Sequence, residues 1–370
     1  MKKSIMALGI SAALLTGSAY AHLEQDHDRG AIPNLDHVFL IMMENHAYGQ
    51  IIGNPDAPFL NQWSQSANLA SNYFGIGHPS LTNYLEVVGG SNFGITNDNY
   101  PNWHYATPSA GLNDPISDSG MDSATPAAIA PFNMAIPAAP YVGETIASQL
   151  VAANKTWKTY QESLPASGAD NVNYSDGDFS NLSAVDHAGV QKLYAVKHNP
   201  FIYFANIQAN TDPKNGLSNS VGFDGLNGLY ADLSSGKVPN LSFIAPNQCH
   251  DMHGAGGGGS FCTNGDALVQ MGDATVQKLV ASIKGSKVWR HGNNAIVVLW
   301  DENDFGSEPN KVVTIVDTNY GAHGVNSNTP YSHFSLLKTL ETGLGLPCLN
   351  HACDADVNVM TDMFQDDHHH

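Results

Sequence analysis

Arginine is almost missing from this 370-residue chain: only Arg29 and Arg290 occur, and lysine and arginine together number 15 against 34 aspartates and glutamates. A chain so poor in clustered positive charge is excluded from reading a nucleic-acid backbone, which takes lysine and arginine to neutralise successive phosphates. Charged residues of both signs amount to only 13% of the sequence, so much of the surface is neutral and polar. Beyond the N-terminus no stretch approaches the ~20 apolar residues that a membrane helix needs. Neither internal repeats nor heptads occur, which excludes solenoids and coiled coils. Cysteine is scarce as well, with four residues in all. Their spacing lacks the repeated C-x-x-C pairs of structural zinc, although a thiolate metal site is the alternative to disulfides. Proximity pairs Cys249 with Cys262 and Cys348 with Cys353, as suits an oxidising compartment. The first bridge would brace the loop that carries His250, Asp251 and His253.

The exception to the missing apolar runs is at the start. Residues 1–21 open with Lys2 and Lys3, run apolar from Ile5 to Leu15 and end in Ser18-Ala19-Tyr20-Ala21. This is the layout of a secretory signal cleaved after Ala21, and it predicts a secreted or periplasmic protein. Without that segment 13 basic residues face 34 acidic ones, a formal charge of −21. Such a balance still permits a small phosphorylated substrate where a bound cation supplies the missing positive charge. The 17 histidines include His368, His369 and His370, set aside as a tag remnant.

Residues 22–367 read as one α/β domain with a largely parallel central sheet and helices on both faces. Strands are expected over His37 to Met43, Phe201 to Ile207, Leu241 to Ala245, Ala295 to Trp300 and Val312 to Val316. Helices are expected over Leu81 to Val88, Gly143 to Asn154, Asp266 to Lys284 and His333 to Thr342. Residues 97–139, rich in Pro, Ala, Ser, Asn and Gly without sustained periodicity, read as an insertion or lid near the active site.

Three of these apolar runs end in side chains that bind metals or protons. His37–Met43 runs into Glu44 and Asn45, Leu241–Ala245 into Cys249-His250-Asp251-Met252-His253, and Ala295–Trp300 into Asp301 and Glu302. Ligands of open α/β sheets bind beyond the carboxyl ends of the strands, so these groups can converge despite their separation in sequence. Ser80 opens the helical pattern that Gly89 and Gly90 close, where free backbone N–H groups and the helix dipole favour phosphate. Asn83, one turn on, shares its face. Taken alone, Ser80 reads as an N-cap and Asn83 as an exposed helical residue, and it is the company of the other motifs that favours chemistry.

Together the segments Met43-Glu44-Asn45-His46, His78-Pro79-Ser80-Leu81-Thr82-Asn83-Tyr84, Lys197-His198-Asn199-Pro200-Phe201, Pro246 to His253, Trp300-Asp301-Glu302 and Tyr331 to Glu341 resemble the ordered motifs of the bacterial phosphoesterase family. That family contains secreted acid phosphatases, phosphatidylinositol-3-phosphate phosphatases and phosphocholine-specific phospholipases C. The resemblance implies an alkaline-phosphatase-like fold, with Ser80 as nucleophile and Asn83 as a phosphate ligand. It also implies that Glu44, Asn45, Asp301 and Glu302, with Ser80, hold one divalent ion. Thr82 stands where relatives often have proline.

A cation touching Ser80 and a phosphate oxygen would favour the alkoxide and neutralise charge on the transferring group. Carboxylate and amide oxygens suit Ca²⁺, Mg²⁺ or Mn²⁺, and zinc also accepts carboxylate oxygen. His198, His250, Asp251, His253 and His323 could form a second metal site, or contact the phosphoryl group and leaving alcohol directly. Protonated imidazoles below about pH 6.5 would then make activity rise toward acid. The expected activity is hydrolysis of phosphate monoesters through a phosphoserine, on a small phosphorylated substrate such as a phosphoinositide or another phospholipid head group. A phospholipase C is the alternative, with Trp63, Tyr73, Trp103 and Tyr105 as candidate choline-facing aromatics. A secreted Ca²⁺-dependent binding protein with an inert Ser80 is the non-enzymatic reading.

Overall fold

Side chains of a strand alternate between the two faces of a sheet, so a strand buried at every position must be covered on both sides. The computed structural model describes residues 32–95, 97–98, 140–170, 172–178, 191–255, 260–306 and 309–365. The expected leader at 1–21, nearly all of the expected insertion at 97–139 and the terminal histidines lie outside them. The strands are β1 (His37–Met43), β2 (Asn68–Phe74), β3 (Trp157–Gln161), β4 (Tyr174–Ser175), β5 (Tyr194–Ala195), β6 (Ser220–Val221), β7 (Leu241–Ala245), β8 (Asn294–Trp300), β9 (Lys311–Thr318), β10 (Asn326–Ser327) and β11 (Tyr331–Ser332). Every residue of β7 and β8 is buried, and every residue of β1 after His37.

Among the described residues one large sheet runs in the order β10-β2-β9-β8-β1-β7-β3-β6, with β11 also on β2. Only β9 runs against the rest, antiparallel to both β2 and β8. Helices α1 (Pro58–Ser66), α2 (Ser80–Gly89), α3 (Ile146–Ala152), α4 (Leu229–Ser235), α5 (Gly265–Gly285) and α6 (His333–Leu344) form two groups. Helix α2 packs with α3 and α6, while α1 and α4 pack with α5. Gly90, in the left-handed conformation at φ 68°, stops α2, and Gly345 stops α6 at φ 71°.

The register of the central strands builds the site. Strand β1 lies between β7 and β8, parallel to both. Met43 pairs with Trp300, so the residues that follow, Glu44 and Asp301, are neighbours across the ladder. Backbone bonds continue the alignment past the strands, from Asp301 N–H to Met43 O (3.0 Å) and from Glu44 N–H to Asp251 O (2.8 Å). The three acid-bearing ends therefore meet at one sheet edge.

Two expectations about elements change. Phe201–Ile207 is no strand: Pro200–Tyr203 is a 3₁₀ turn, and Ala205–Gln208 is one turn of helix. A short buried apolar run is compatible with either state, and Pro200, whose fixed φ suits a first helical position, tips it toward a turn. Strands β2 and β3 come from Asn68–Phe74 and Trp157–Gln161, whose polar residues hide them in the sequence. Cys249 is bonded to Cys262 and Cys348 to Cys353, the pairs that proximity selects.

Candidate active site

Ser80 is the first residue of α2 and is fully buried. Its hydroxyl oxygen lies 2.9 Å from Glu44 Oε2, 3.3 Å from Asn45 Oδ1, 3.3 Å from Glu302 Oε1 and 3.3 Å from Lys197 Nζ. A hydroxyl has one proton to give, so three oxygen acceptors around it exceed what it can satisfy. Asn83 is fully committed nearby. Its amide donates to Gly77 O (2.9 Å) and Glu302 Oε2 (3.0 Å), and its oxygen accepts from Ile76 and Gly77 N–H. In this state Asn83 clasps the loop before the helix and orients Glu302 instead of facing outward. His78 Nδ1 also lies 2.9 Å from Glu302 Oε2.

On the other side of Glu44 stands His198. Its Nε2 lies 3.1 Å from Glu44 Oε1 and its Nδ1 3.2 Å from Asp251 Oδ2, with all three side chains buried. Tyr84, one turn after Ser80, stacks on the imidazole at 5.2 Å between centroids and 7° between planes. None of these four ring and carboxylate atoms has hydrogen-bond geometry toward a partner, and Asp301 Oδ2 is likewise unsatisfied. Buried polar atoms in proteins are almost always hydrogen-bonded, so a convergent set that is not marks a place for an ion. One ligand atom each from Glu44, His198 and Asp251 lies within 4.8 Å of the others. Two carboxylates and an imidazole are a donor set that divalent metals accept. The residues present therefore fit a divalent ion, with His198 and Asp251 joining Glu44. The set expected from resemblance, Glu44, Asn45, Ser80, Asp301 and Glu302, gathers on the opposite side of the same glutamate.

The electrostatics agree. Burial pushes the carboxyls of Glu44, Asp251, Asp301 and Glu302 well above their ordinary range. Neighbouring carboxylates add to the effect: Asp301 acts on Glu44, Glu44 on Asp251, Glu302 on Asp301 and Asp98 on Glu302. A divalent cation would reverse the sign of this field.

Positive charge at Ser80 was expected from protonated histidines, and here the structure differs. Burial, then the charge of Lys197, lowers His198 well below its ordinary value and brings His253 to about 4. The cation is Lys197. Burial alone would lower its ammonium, but Asp98 and Glu44 outweigh that and raise it. Its Nζ reaches Ser80 Oγ, Asp98 Oδ2 at 2.8 Å and His253 Nε2 at 3.2 Å. His253 Nδ1–H is given to Gly254 O (2.7 Å), which leaves Nε2 to accept from the ammonium. Neither Lys197 nor Asp98 was singled out from sequence. Lys197 stands in the motif Lys197-His198-Asn199-Pro200, and its scarcity in so acidic a chain was the available signal.

Other candidates lie elsewhere. His250 faces away from its neighbour Asp251, and its Nδ1 meets Glu162 Oε2 at 2.7 Å in a separate cavity of about 280 Å³ lined also by Phe223, Tyr230 and Lys278. His323 is a correction: it is half-exposed beside Asp317, 3.9 Å from its carboxylate. Because β9 is antiparallel, Asp317 and Thr318 at its end pair with Ile296 and Ala295 at the start of β8, so His323 is delivered to the opposite sheet edge. His46 bonds through Nδ1 to Glu44 O (3.0 Å), and His333 is buried beneath the site, linking Asp301 O to Tyr73 OH. Trp63 donates to Asp317 at 2.8 Å. Both proposed choline-facing aromatics in the described residues are thus packing residues, while Trp103 and Tyr105 lie outside them.

Comparison with known proteins gives a consistent picture. The model of the Phosphoesterase family matches residues 54–347. The chain is 28% identical over 359 residues to a phosphatidylinositol-3-phosphatase of Mycobacterium tuberculosis, covering 95% of this chain and 92% of that protein. It is 24% identical to an acid phosphatase of Aspergillus fumigatus, covering 86% of this chain but 57% of the relative, and 25% identical to a probable acid phosphatase of Kluyveromyces lactis, covering 87% and 61%. The chain thus spans less than two thirds of these two fungal relatives. Among solved structures it is similar to a Bacteroides thetaiotaomicron protein of glycosaminoglycan metabolism, with a TM-score of 0.50 at 9% identity over 90% of this chain and 82% of the other. A protein in the alkaline phosphatase superfamily from Vibrio parahaemolyticus gives 0.44 at 14% identity, over 88% and 75%.

Proposed function

The chain belongs to the Phosphoesterase family and is a phosphoric monoester hydrolase, and from that premise we propose a metal-dependent acid phosphatase that works through a phosphoserine at Ser80. The observation that carries this reading is the setting of one hydroxyl: a buried serine at a helix start, with Glu44 Oε2 at 2.9 Å and Lys197 Nζ at 3.3 Å. Glu44 is the nearest acceptor for the proton that Ser80 must lose. Ser80 Oγ then forms a bond to phosphorus as the bond to the alcohol oxygen breaks. Water later releases phosphate and restores the hydroxyl. Lys197 offers its ammonium to the charge that develops on the nucleophile and the transferring group. Tyr84 stacks on the ring of His198, while Asn83 and His78 hold Glu302.

A divalent ion, Ca²⁺, Mg²⁺, Mn²⁺ or Zn²⁺, held by Glu44, His198 and Asp251 with Asn45, Asp301 and Glu302 close by, would supply positive charge to the phosphoryl oxygens and the nucleophile. The name of the mycobacterial relative supports a phosphoinositide or similar phosphorylated head group as substrate. Two disulfides support an exported protein, and no helix among the described residues is long and apolar enough to cross a membrane.

Ser80→Ala should lower turnover of p-nitrophenyl phosphate by about 10³-fold or more. Acid-quenched wild type incubated with labelled phosphate monoester should carry label on Ser80, and the variant none. Turnover equal to wild type in Ser80→Ala refutes the assignment.

A further inference from the structure

Lys197 and the Leu81 backbone N–H both sit against the nucleophile, and both are already taken by one carboxylate. Asp98 Oδ2 accepts from Lys197 Nζ at 2.8 Å, and Asp98 Oδ1 accepts from Leu81 N–H at 3.0 Å. Leu81 follows Ser80 in the chain and lies in the first turn of α2, where backbone N–H groups have no helical partner. The ammonium that bonds Asp98 also reaches Ser80 Oγ at 3.3 Å. The two oxygens of Asp98 thus span two donors beside the reacting hydroxyl, as two oxygens of a phosphoryl group on Ser80 would. The Lys197 side chain is 10% exposed and that of Asp98 34%, so of the two partners the acceptor has more access to water.

We propose that Lys197 Nζ and Leu81 N–H form a seat for phosphoryl oxygens, and that the Asp98 carboxylate occupies this seat until a substrate phosphate displaces it. The inference rests on the reading of Ser80 as the site of phosphoryl transfer. It adds an internal competitor to that reading. Asp98 carries one negative charge and a phosphate monoester up to two, so the phosphate gains more from the ammonium and can win the exchange. No covalent step is involved: two hydrogen bonds to a carboxylate are replaced by two to a phosphate. The competitor also keeps a buried ammonium paired while no substrate is bound, which spares the fold an uncompensated charge.

The test is non-covalent binding of inorganic phosphate to the full chain, measured by calorimetry on the Ser80→Ala background with metal content matched between proteins. Removing the competitor in Asp98→Ala should tighten phosphate binding by about tenfold, and Asp98→Asn should tighten it in the same direction. Lys197→Met should weaken binding by about tenfold, with Lys197→Arg restoring part of it. Unchanged or weaker binding in both Asp98 variants overturns the proposal, and so does unchanged binding in Lys197→Met. The two readings fail separately. Wild-type turnover in Ser80→Ala would sink the phosphoserine while leaving the affinities to report on the seat. An inactive Ser80→Ala with unaltered affinities would sink the seat alone.

Discussion

The two edges of the central sheet hold similar side chains and put them to different use. At the carboxyl edge, Glu44, Asp251, Asp301 and Glu302 are all at most 1% exposed, beside His198 and Lys197. At the opposite edge Asp317 is also buried, with Trp63 Nε1 at 2.8 Å, Lys284 Nζ at 2.5 Å and His323 beyond. That edge has a cleft of about 620 Å³, shared with Trp289 and Arg290. The difference lies in lone pairs. Asp317 Oδ2 is satisfied by two donors, and its neighbours Lys284 and His323 are 41% and 45% exposed, so water screens them. One oxygen each of Glu44, Asp251 and Asp301, and both nitrogens of His198, have no such partners. Burial with unmet valence, more than residue type, distinguishes the edge equipped for chemistry.

The sharpest way to break that comparison separates two consecutive residues. Asp251→Asn should lower kcat/KM for p-nitrophenyl phosphate by about 100-fold and reduce bound metal, because it removes a charged ligand from the triad. His250→Ala should leave kcat/KM within about twofold and lower Tm by a few degrees, because its ring meets only Glu162 in a separate cavity. Steady-state kinetics with elemental analysis of the purified variants checks both. Equal losses from the two substitutions would mean that the loop acts as a unit and that the triad has no special standing.

A second expected outcome concerns pH. Because the carboxyls of Glu44, Asp251, Asp301 and Glu302 are raised in the folded chain, they contribute stability that is fully present below about pH 4 and lost as pH climbs through their folded values. An ion needs those groups ionised, so protons compete with it and its stabilising effect grows as pH rises. Millimolar Mn²⁺ should raise Tm by about 5 °C at pH 7 and by clearly less at pH 5 in thermal-shift measurements. Asp251→Asn should flatten the dependence. An increment as large at pH 5 as at pH 7 would show that the ion binds outside these four carboxylates.

How much of this was legible follows from which signals are local. An apolar run that stops at an acid is visible in the sequence, and the ends of β1, β7 and β8 converge as that pattern implies. The buried helix that opens at Ser80 is visible for the same reason, through its apolar spacing and its terminal glycines. Strand direction is not a local property. Nothing around Val312–Val316 says that β9 runs backwards, so glycine-flanked His323 looked like a ligand and proved to be at the wrong edge. Side-chain facing within an irregular loop is equally hidden: His250 and Asp251 are adjacent, yet one meets Glu162 and the other His198. Lys197 and Asp98, 99 positions apart, gain meaning only from each other and from Ser80.

The smallest expected effect tests the comparison from its quiet side. His323→Ala and Asp317→Asn should each keep kcat/KM within about twofold, since both residues lie past the start of β8 while Ser80 and its partners lie past its end. Asp317→Asn should nonetheless cost about 1–2 kcal/mol in urea unfolding, because an amide cannot accept from both Trp63 and Lys284 with the strength of a carboxylate. His323→Ala, which removes a half-exposed ring 3.9 Å from its partner, should cost no more than about 0.5 kcal/mol. A tenfold fall in kcat/KM from His323→Ala, with an unfolding midpoint equal to wild type, would put a functional group at the amino edge. Satisfied lone pairs and solvent exposure would then no longer separate a structural ion pair from an active one.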